Sequence, residues 1–198
     1  MSSAEMPQGY RIHLGIAEQG KIYALAGDHK LALTYYREAI RMAVSSGAPE
    51  VFFRHYMECT LESLERMGSL PEVVAYADRA LAHYAGLTPS SDEQRALIRA
   101  DLMSIHQRRG AVLLKMGRVE ESRAALDRAI SLAREAGASL PLSQTLLGWI
   151  ARGFHVEPHR VLMEQEKARY FSVRPDTVDR ALAITLPKEH AALMRMAP

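Results

Sequence analysis

Residues 20–39, GKIYALAGDHKLALTYYREA, contain the pattern from which the fold of this chain can be predicted. Apolar residues lie three or four positions apart up to residue 26, which is the spacing of one face of an α-helix. Gly27 then interrupts the pattern, Asp28 follows as a residue suited to capping a helix N-terminus, and the helical spacing resumes. The stretch therefore predicts a helix, a tight turn and a second helix.

The same pattern occurs twice more along the chain. In the first copy, the recurring positions are held by Gly20, Tyr23, Gly27, Ala32, Tyr36 and Ala39. Their counterparts are Leu61, Leu64, Gly68, Val73, Ala77 and Ala80 in the second copy, and Gly110, Leu113, Gly117, Ser122, Leu126 and Ala129 in the third. Small residues at several of these positions let two helices approach closely, and the larger ones fill the space around them. An internal repeat of this kind predicts stacked helix pairs.

Breaks containing glycine and proline separate the copies, at residues 45–50, 85–91 and 136–141. One further amphipathic helix is predicted over 142–153. Prolines then divide the remaining chain into short helices, which are predicted over 158–170, 175–186 and 187–197. We therefore expect a repeat domain of three repeats and a capping helix over 1–153, followed by a tail of short helices over 154–198.

On the repeated residues quoted above, the chain resembles the tetratricopeptide repeat family over roughly residues 9–136. The copies start at residues 20, 61 and 110 and are thus 41 and 49 residues apart, whereas the standard repeat has about 34. Members of the superfamily with longer helices are therefore the better comparison. The resemblance implies an all-α fold, an α-solenoid of helix-turn-helix repeats with a C-terminal helical extension.

The resemblance also implies a groove, which the first helices of stacked repeats line and which holds a partner polypeptide. The residues expected to line it are Lys21 and Leu25 in the first copy, His55, Glu58, Glu62 and Glu65 in the second, and Gln107, Arg108, Leu114 and Lys115 in the third. The three glutamates share one helical face. Two interpretations of them stay open: an acidic stripe that suits a basic partner segment, or ordinary solvated helix surface.

Four aromatic residues lie in or beside the short helices near the C-terminus: Trp149, Phe154, Tyr170 and Phe171. Helices this short cannot bury their own apolar faces, so the aromatic side chains are expected to dock on something. They either cover the end of the repeat stack or dock on a partner. Docking in the groove of a neighbouring copy would give a homo-oligomer.

Composition narrows the class of protein. Apolar residues make up 48% of the chain and charged residues 24%, which is typical of a folded domain. A formal charge of +2 from 25 basic and 23 acidic residues argues against nucleic-acid binding. We expect no membrane span or signal peptide, and a single cysteine, Cys59, fits a reducing compartment, so a cytoplasmic location is predicted. Arginine outnumbers lysine by 20 to 5, which suggests a bacterial, GC-rich genome.

Motifs for catalysis or cofactor binding are not found in the sequence, since it has no phosphate-binding glycine loop, nucleophile elbow or metalloprotease helix. His155 and His159 have the spacing of a helical metal pair, but Pro158 interrupts the helix that would align them. His55 and Cys59 have the same spacing without an evident third ligand. We therefore expect no enzyme, no catalytic residues, no cofactor and no metal.

These observations predict a scaffold, adaptor or assembly factor that binds another protein or a peptide segment. One alternative is a regulatory sensor domain that binds a small molecule or a signalling peptide, for which ligand-induced stabilisation would be the sign. Another is a structural subunit of a larger assembly. In that case the tail should be necessary for a concentration-dependent oligomer.

Overall fold

The structure, a computed structural model, describes residues 8–186 of the 198-residue chain, and this part contains helices, turns and extended segments but no β-strand. Its α-helices are α1 (Gln8–Leu25), α2 (His29–Ser45), α3 (Glu50–Arg66), α4 (Leu70–Ala85), α5 (Asp92–Lys115), α6 (Val119–Glu135), α7 (Pro141–Ala151) and α8 (Pro158–Lys167). A 3₁₀ turn follows at Pro175–Thr177. The predicted all-α fold is confirmed. Within the described residues, none of these helices combines the length and apolarity needed to cross a membrane.

The turns predicted at the repeat glycines are confirmed. The backbone angle φ is 82° at Gly27 and 74° at Gly117, in the left-handed region that a Cβ atom disfavours. The amide of Asp28 then bonds back to the carbonyl of Tyr23 at 3.0 Å, which closes α1. The Asp28 carboxylate accepts the amide of Leu31 at 3.0 Å and so caps α2. The sequence thus specifies both the end of one helix and the start of the next.

Glycines in the first helices of the first and third copies allow close packing within each helix pair. A Cβ atom on Gly20 would lie 2.7 Å from the ring of Tyr36, and one on Gly110 would lie 2.6 Å from Cγ of Leu126. The hydroxyl of Ser122 also donates to the carbonyl of Gly110 at 2.8 Å. The pairs α1/α2 and α5/α6 are therefore packed at the small residues that the repeat pattern indicated.

The described chain divides into two compact units. Of the described residues, the first unit contains 8–68, with α1–α3, and 171–186. The second unit runs from Ser69 to Tyr170 and contains α4–α8. The two helices of the second copy, α3 and α4, therefore belong to different units, and the boundary falls in the turn after Gly68.

This division differs from the one predicted after residue 153. Residues 154–170 belong to the second unit because Val161 and Tyr170 pack with Trp149 against the core of that unit. Residues 171–186 belong to the first unit, where Val173 is buried with residues of α1, α2 and α3. The predicted tail is thus shared between two hydrophobic cores.

The predicted tail helices have different outcomes. The helix predicted over 158–170 is present as α8, and it ends three residues early. The prediction of a helix over 175–186 is wrong, since only the 3₁₀ turn forms there. Instead, the backbone amides of Asp179, Ile184 and Leu186 donate to acceptors on α1 and α2. The helix predicted over 187–197 lies outside the described residues.

Candidate functional site: a chain segment bound on α1–α3

Residues 171–186, which we call the strap, lie against the helices of the first unit. The strap contains one 3₁₀ turn and is otherwise non-helical. Side chains of α1, α2 and α3 bind its backbone at several points. The first unit therefore holds a segment of polypeptide on α1, α2 and α3, of which α1 and α3 are first helices that the family resemblance assigned to a groove.

Glu62 on α3 binds the start of the strap. Its Oε2 atom accepts the amides of Ser172 at 2.9 Å and Val173 at 3.0 Å, and its Oε1 atom lies 3.5 Å from Nε of Arg66. The residue is only 2% exposed. Hydrogen bonds to an ionised acceptor are stronger than those between neutral groups. Glu62 thus fixes two consecutive peptide units of the strap.

Two apolar side chains at the start of the strap are buried in the first unit. Phe171 is 1% exposed, and the guanidinium carbon of Arg66 lies 3.9 Å from the centroid of its ring. Such a cation over an aromatic face is stabilising by about 0.5–2 kcal/mol. Val173 packs in a buried cluster that contains Ala24, Ala32, Tyr36 and Cys59. The strap therefore contributes to the hydrophobic core as well as to the hydrogen bonding.

A buried ion pair on α1 binds the middle of the strap. Nζ of Lys21 lies 2.7 Å from Oε1 of Glu18, and the two residues are 4% and 5% exposed. The second oxygen of Glu18 accepts the amide of Asp179 at 2.9 Å, and the carbonyl of Thr177 lies 3.5 Å from the lysine nitrogen. Buried ions need partners beyond each other because desolvation is costly. The strap backbone supplies those partners.

The end of the strap lies on α1 and α2. The amide of Ile184 donates to the carbonyl of Gly15 at 2.9 Å, and the amide of Leu186 donates to the hydroxyl of Tyr35 at 3.0 Å. A Cβ atom on Gly15 would lie 2.5 Å from the carbonyl oxygen of Leu182. Only glycine therefore permits this approach of the strap to α1.

Burial is the main influence on the pKa values of two titratable residues beside the strap, Cys59 and His55. Sγ of Cys59 and Nε2 of His55 lie 3.9 Å apart. Burial raises the pKa of Cys59 to about 12, so its thiol is protonated at neutral pH and is a poor nucleophile. Burial, followed by the charge of Lys21, lowers the pKa of His55. Among residues 8–186, no three histidine, cysteine or acidic side chains come together in a way that could hold a metal ion.

The predicted groove residues of the first unit are only partly on an open surface. Lys21 and Glu62 bind the strap backbone, and Leu25 packs against the cluster that contains Val173. Glu58 and His55 are half-buried. Glu62 and Glu65 are buried, so the three glutamates do not form one solvated stripe.

The predicted groove residues of the second unit have structural contacts within that unit. Gln107 accepts a hydrogen bond from the hydroxyl of Ser143 at 3.0 Å. Arg108 is buried, with its guanidinium carbon 5.0 Å from the centroid of the Tyr170 ring. Leu114 lies in the core, and Lys115 is half-buried. No partner could reach Leu114 while this core is intact.

The four tail aromatics lie in different places. Trp149 is buried in the core of the second unit, and Tyr170 packs on the edge of that core. The guanidinium carbon of Arg160 lies 4.5 Å from the Trp149 ring centroid and 5.6 Å from that of Phe154, which is 44% exposed. Phe171 lies in the first unit. The four aromatics therefore belong to two different units.

Sequence reasoning missed Glu18, Tyr35 and Gly15 as residues of this site. The spacing of Glu18 and Lys21, three residues apart on α1, was a local indication of an ion pair. Nothing in the local sequence indicated that their remaining hydrogen-bonding groups would bind residues 156 and 161 positions away.

Together, these helix pairs, turns and close contacts define a helical-repeat protein in which the strap is bound on α1, α2 and α3. The family model of the tetratricopeptide repeat matches residues 17–43, which lie in α1 and α2, and residues 104–135, which lie in α5 and α6, so the chain contains tetratricopeptide repeats. Repeats of this family generally mediate protein–protein interaction and are generally non-catalytic. No curated protein and no solved structure matches the chain.

Proposed function

We propose that this chain is a non-catalytic adaptor or scaffold that binds another polypeptide on the α1–α3 face of its first unit. The observation that carries the proposal is the strap, which is held there by buried carboxylates directed at backbone amides. Backbone amides occur in every polypeptide, so side chains arranged to bind them suit a polypeptide ligand better than a small metabolite. The general role of tetratricopeptide repeats in protein interaction supports the same function.

Site-specific photo-crosslinking in the native cells tests the proposal. A photoreactive residue replaces Leu25, which is half-buried beside the strap, and in a matched control it replaces Arg37, which is exposed on α2. We expect a discrete adduct with another protein from position 25 and none from position 37. Adding Glu62→Ala to the first variant should remove the adduct, because that carboxylate binds the backbone of whatever occupies the face.

Two results would contradict the proposal. One is adducts of equal yield from positions 25 and 37, which would indicate nonspecific encounters. The other is crosslinking from position 25 only to the chain's own strap, since the face would then serve the strap alone.

A further inference from the structure

We propose that the strap is a resident competitor on the α1–α3 face, and that the partner contacts this face through a linear segment of the same chemistry. That segment has a large aromatic residue, then any residue, then a β-branched aliphatic residue, with free amides at the second and third positions. The inference rests on the proposed function and describes its partner.

The requirement for free amides follows from Glu62. One oxygen of this buried carboxylate accepts two consecutive strap amides, those of Ser172 and Val173. Proline at either position would remove a donor and leave the carboxylate with less compensation for its burial. Ser172 uses its backbone in these contacts and is only half-buried. The middle position therefore tolerates any residue except proline.

The flanking side chains give the specificity. Phe171 is almost fully buried beneath the guanidinium of Arg66, an arrangement that favours an aromatic face over an aliphatic chain. Val173 fills a space between small residues, Ala24 and Ala32. A charged residue at that position would be buried without a partner and would therefore be excluded.

The strap is suited to replacement by another chain because its middle and its end are held by hydrogen bonds to its backbone. Glu18, Lys21 and Glu62 would each be exposed to water if the strap dissociated. Any peptide bound in the same register would restore the same hydrogen bonds. Being tethered, the strap competes at an effective concentration on the order of 1 mM. A free segment therefore binds the closed chain much more weakly than it would bind an open one.

The test uses a fluorescent peptide with the sequence of residues 169–186, RYFSVRPDTVDRALAITL, titrated into the full chain by anisotropy. In one variant, Val173→Asp, the aspartate cannot enter the apolar cluster, so the strap is released. In the matched control, Thr185→Asp, the same charge is added at an exposed strap position. We expect the peptide to bind Val173→Asp at least about tenfold more tightly than it binds the wild type or Thr185→Asp.

Backbone recognition is tested with two modified peptides. N-methylation at Val173 removes an amide that Glu62 binds, whereas N-methylation at Arg180 changes an amide outside the contacts to the helices. We expect the first change to weaken binding to the Val173→Asp chain at least about tenfold and the second to have little effect.

A measurement on the wild-type chain covers the case in which Val173→Asp unfolds the first unit. At millimolar peptide, displacement of the strap should speed hydrogen exchange of the Ser172 and Val173 amides. Unchanged exchange there, or equal peptide affinity for the released and closed chains, would overturn the proposal.

Another overturning result is a heterodimer of wild-type and Val173→Asp chains when the free peptide does not bind, because the occupant would then be a second copy. A failed peptide experiment leaves the crosslinking result standing, and the reverse also holds. The two proposals can therefore fail separately.

Discussion

Glu62 is a carboxylate in the interior of the first unit, where an isolated charge would be strongly unfavourable. Two strap amides and the guanidinium of Arg66 offset that cost. Glu18 has a similar arrangement, with Lys21 on one oxygen and the Asp179 amide on the other. The stability of this unit thus depends on two acidic side chains whose cationic partners are local and whose amide partners come from the other end of the described chain.

The substitution Glu62→Ala tests this dependence. It leaves two amides without their acceptor, so we expect the free energy of unfolding to fall by about 1–3 kcal/mol and the Ser172 and Val173 amides to exchange faster. Urea unfolding and hydrogen exchange measure the two effects. The control Glu50→Ala removes an exposed α3 carboxylate paired with Arg54, and its effect should stay within about 0.5 kcal/mol. Equal losses in both variants would argue against a special role for Glu62.

Gly110→Ala tests the close contact in the third repeat. The new methyl group would lie 2.6 Å from Cγ of Leu126, a fully buried core residue, so we expect a destabilisation of about 1–3 kcal/mol in urea unfolding. Gly148→Ala is the matched control, since Gly148 is also helical and nothing lies within 4 Å of the position that its new methyl group would occupy. It should stabilise by about 0.5–1 kcal/mol through helix propensity. A neutral Gly110→Ala would show that α5 and α6 can separate without cost.

At the scale of elements, the repeat helices could be predicted because the residues that determine them are close together in the sequence. The helical spacing, Gly27 and Asp28 lie within one stretch of sequence, and they fix α1, α2 and the turn between them. The position of the strap on α1–α3 is not determined by nearby residues in this way. Val173 bonds to a residue 111 positions away, and such contacts replaced the helix that the spacing over 175–186 had suggested. Tertiary hydrogen bonds thus outweighed local helical preference in that segment.

Local hydrogen bonds of Thr177 nonetheless help to fix the conformation of the strap, and the substitution Thr177→Val tests their contribution. The Thr177 hydroxyl donates to the carbonyl of Ser172 at 2.7 Å and accepts the amide of Arg174 at 2.9 Å. Removing the hydroxyl at nearly constant volume should destabilise the bound strap by about 1–2 kcal/mol, seen as faster exchange of the Asp179 amide. The exposed control Thr185→Val should leave that exchange unchanged. Equal exchange in both variants would mean that the helices alone determine the strap conformation.

At the scale of the whole molecule, the chain leaves the first unit after Gly68, forms the second unit, and returns to the first at Phe171. The core of the first unit is therefore assembled from the two ends of the described chain. We expect contacts of such large sequence separation to form late in folding, because closing the long intervening loop costs entropy. This topology also explains why a boundary after residue 153, drawn from proline and glycine breaks, did not coincide with the packing.

Buried histidines predict how the molecule responds to acid. Burial lowers the pKa of His13 below the ordinary value of 6.5, and it also lowers those of His29 and His55 in the same unit. Because the unfolded chain then binds protons more readily, the free energy of unfolding should be highest above pH 6.5. It should fall as the pH drops through 6.5 toward the lowered values. Urea unfolding at pH 7.5, 6.5 and 5.5 measures the slope. His13→Phe should make the free energy of unfolding depend less steeply on pH. An identical slope in this variant would show that His13 does not contribute to the pH dependence.

Ending the chain at Tyr170 tests whether the first unit depends on the strap. The truncation removes Phe171 and Val173 from the buried interior and exposes the ion pair of Glu18 and Lys21. Burying two such apolar side chains contributes roughly 3–6 kcal/mol as an upper bound, a large share of the 5–15 kcal/mol typical of a domain. Hydrogen exchange should therefore show a greater loss of protection in α1–α3 than in α4–α8. The reciprocal variant Leu146→Ala leaves a cavity in the core of the second unit and should lower the stability of that unit by about 2–5 kcal/mol. In this variant, α4–α8 should lose more protection from hydrogen exchange than α1–α3. If α1–α3 kept wild-type protection in the truncated chain, the strap would be a surface ligand that adds little to the stability of the unit it covers.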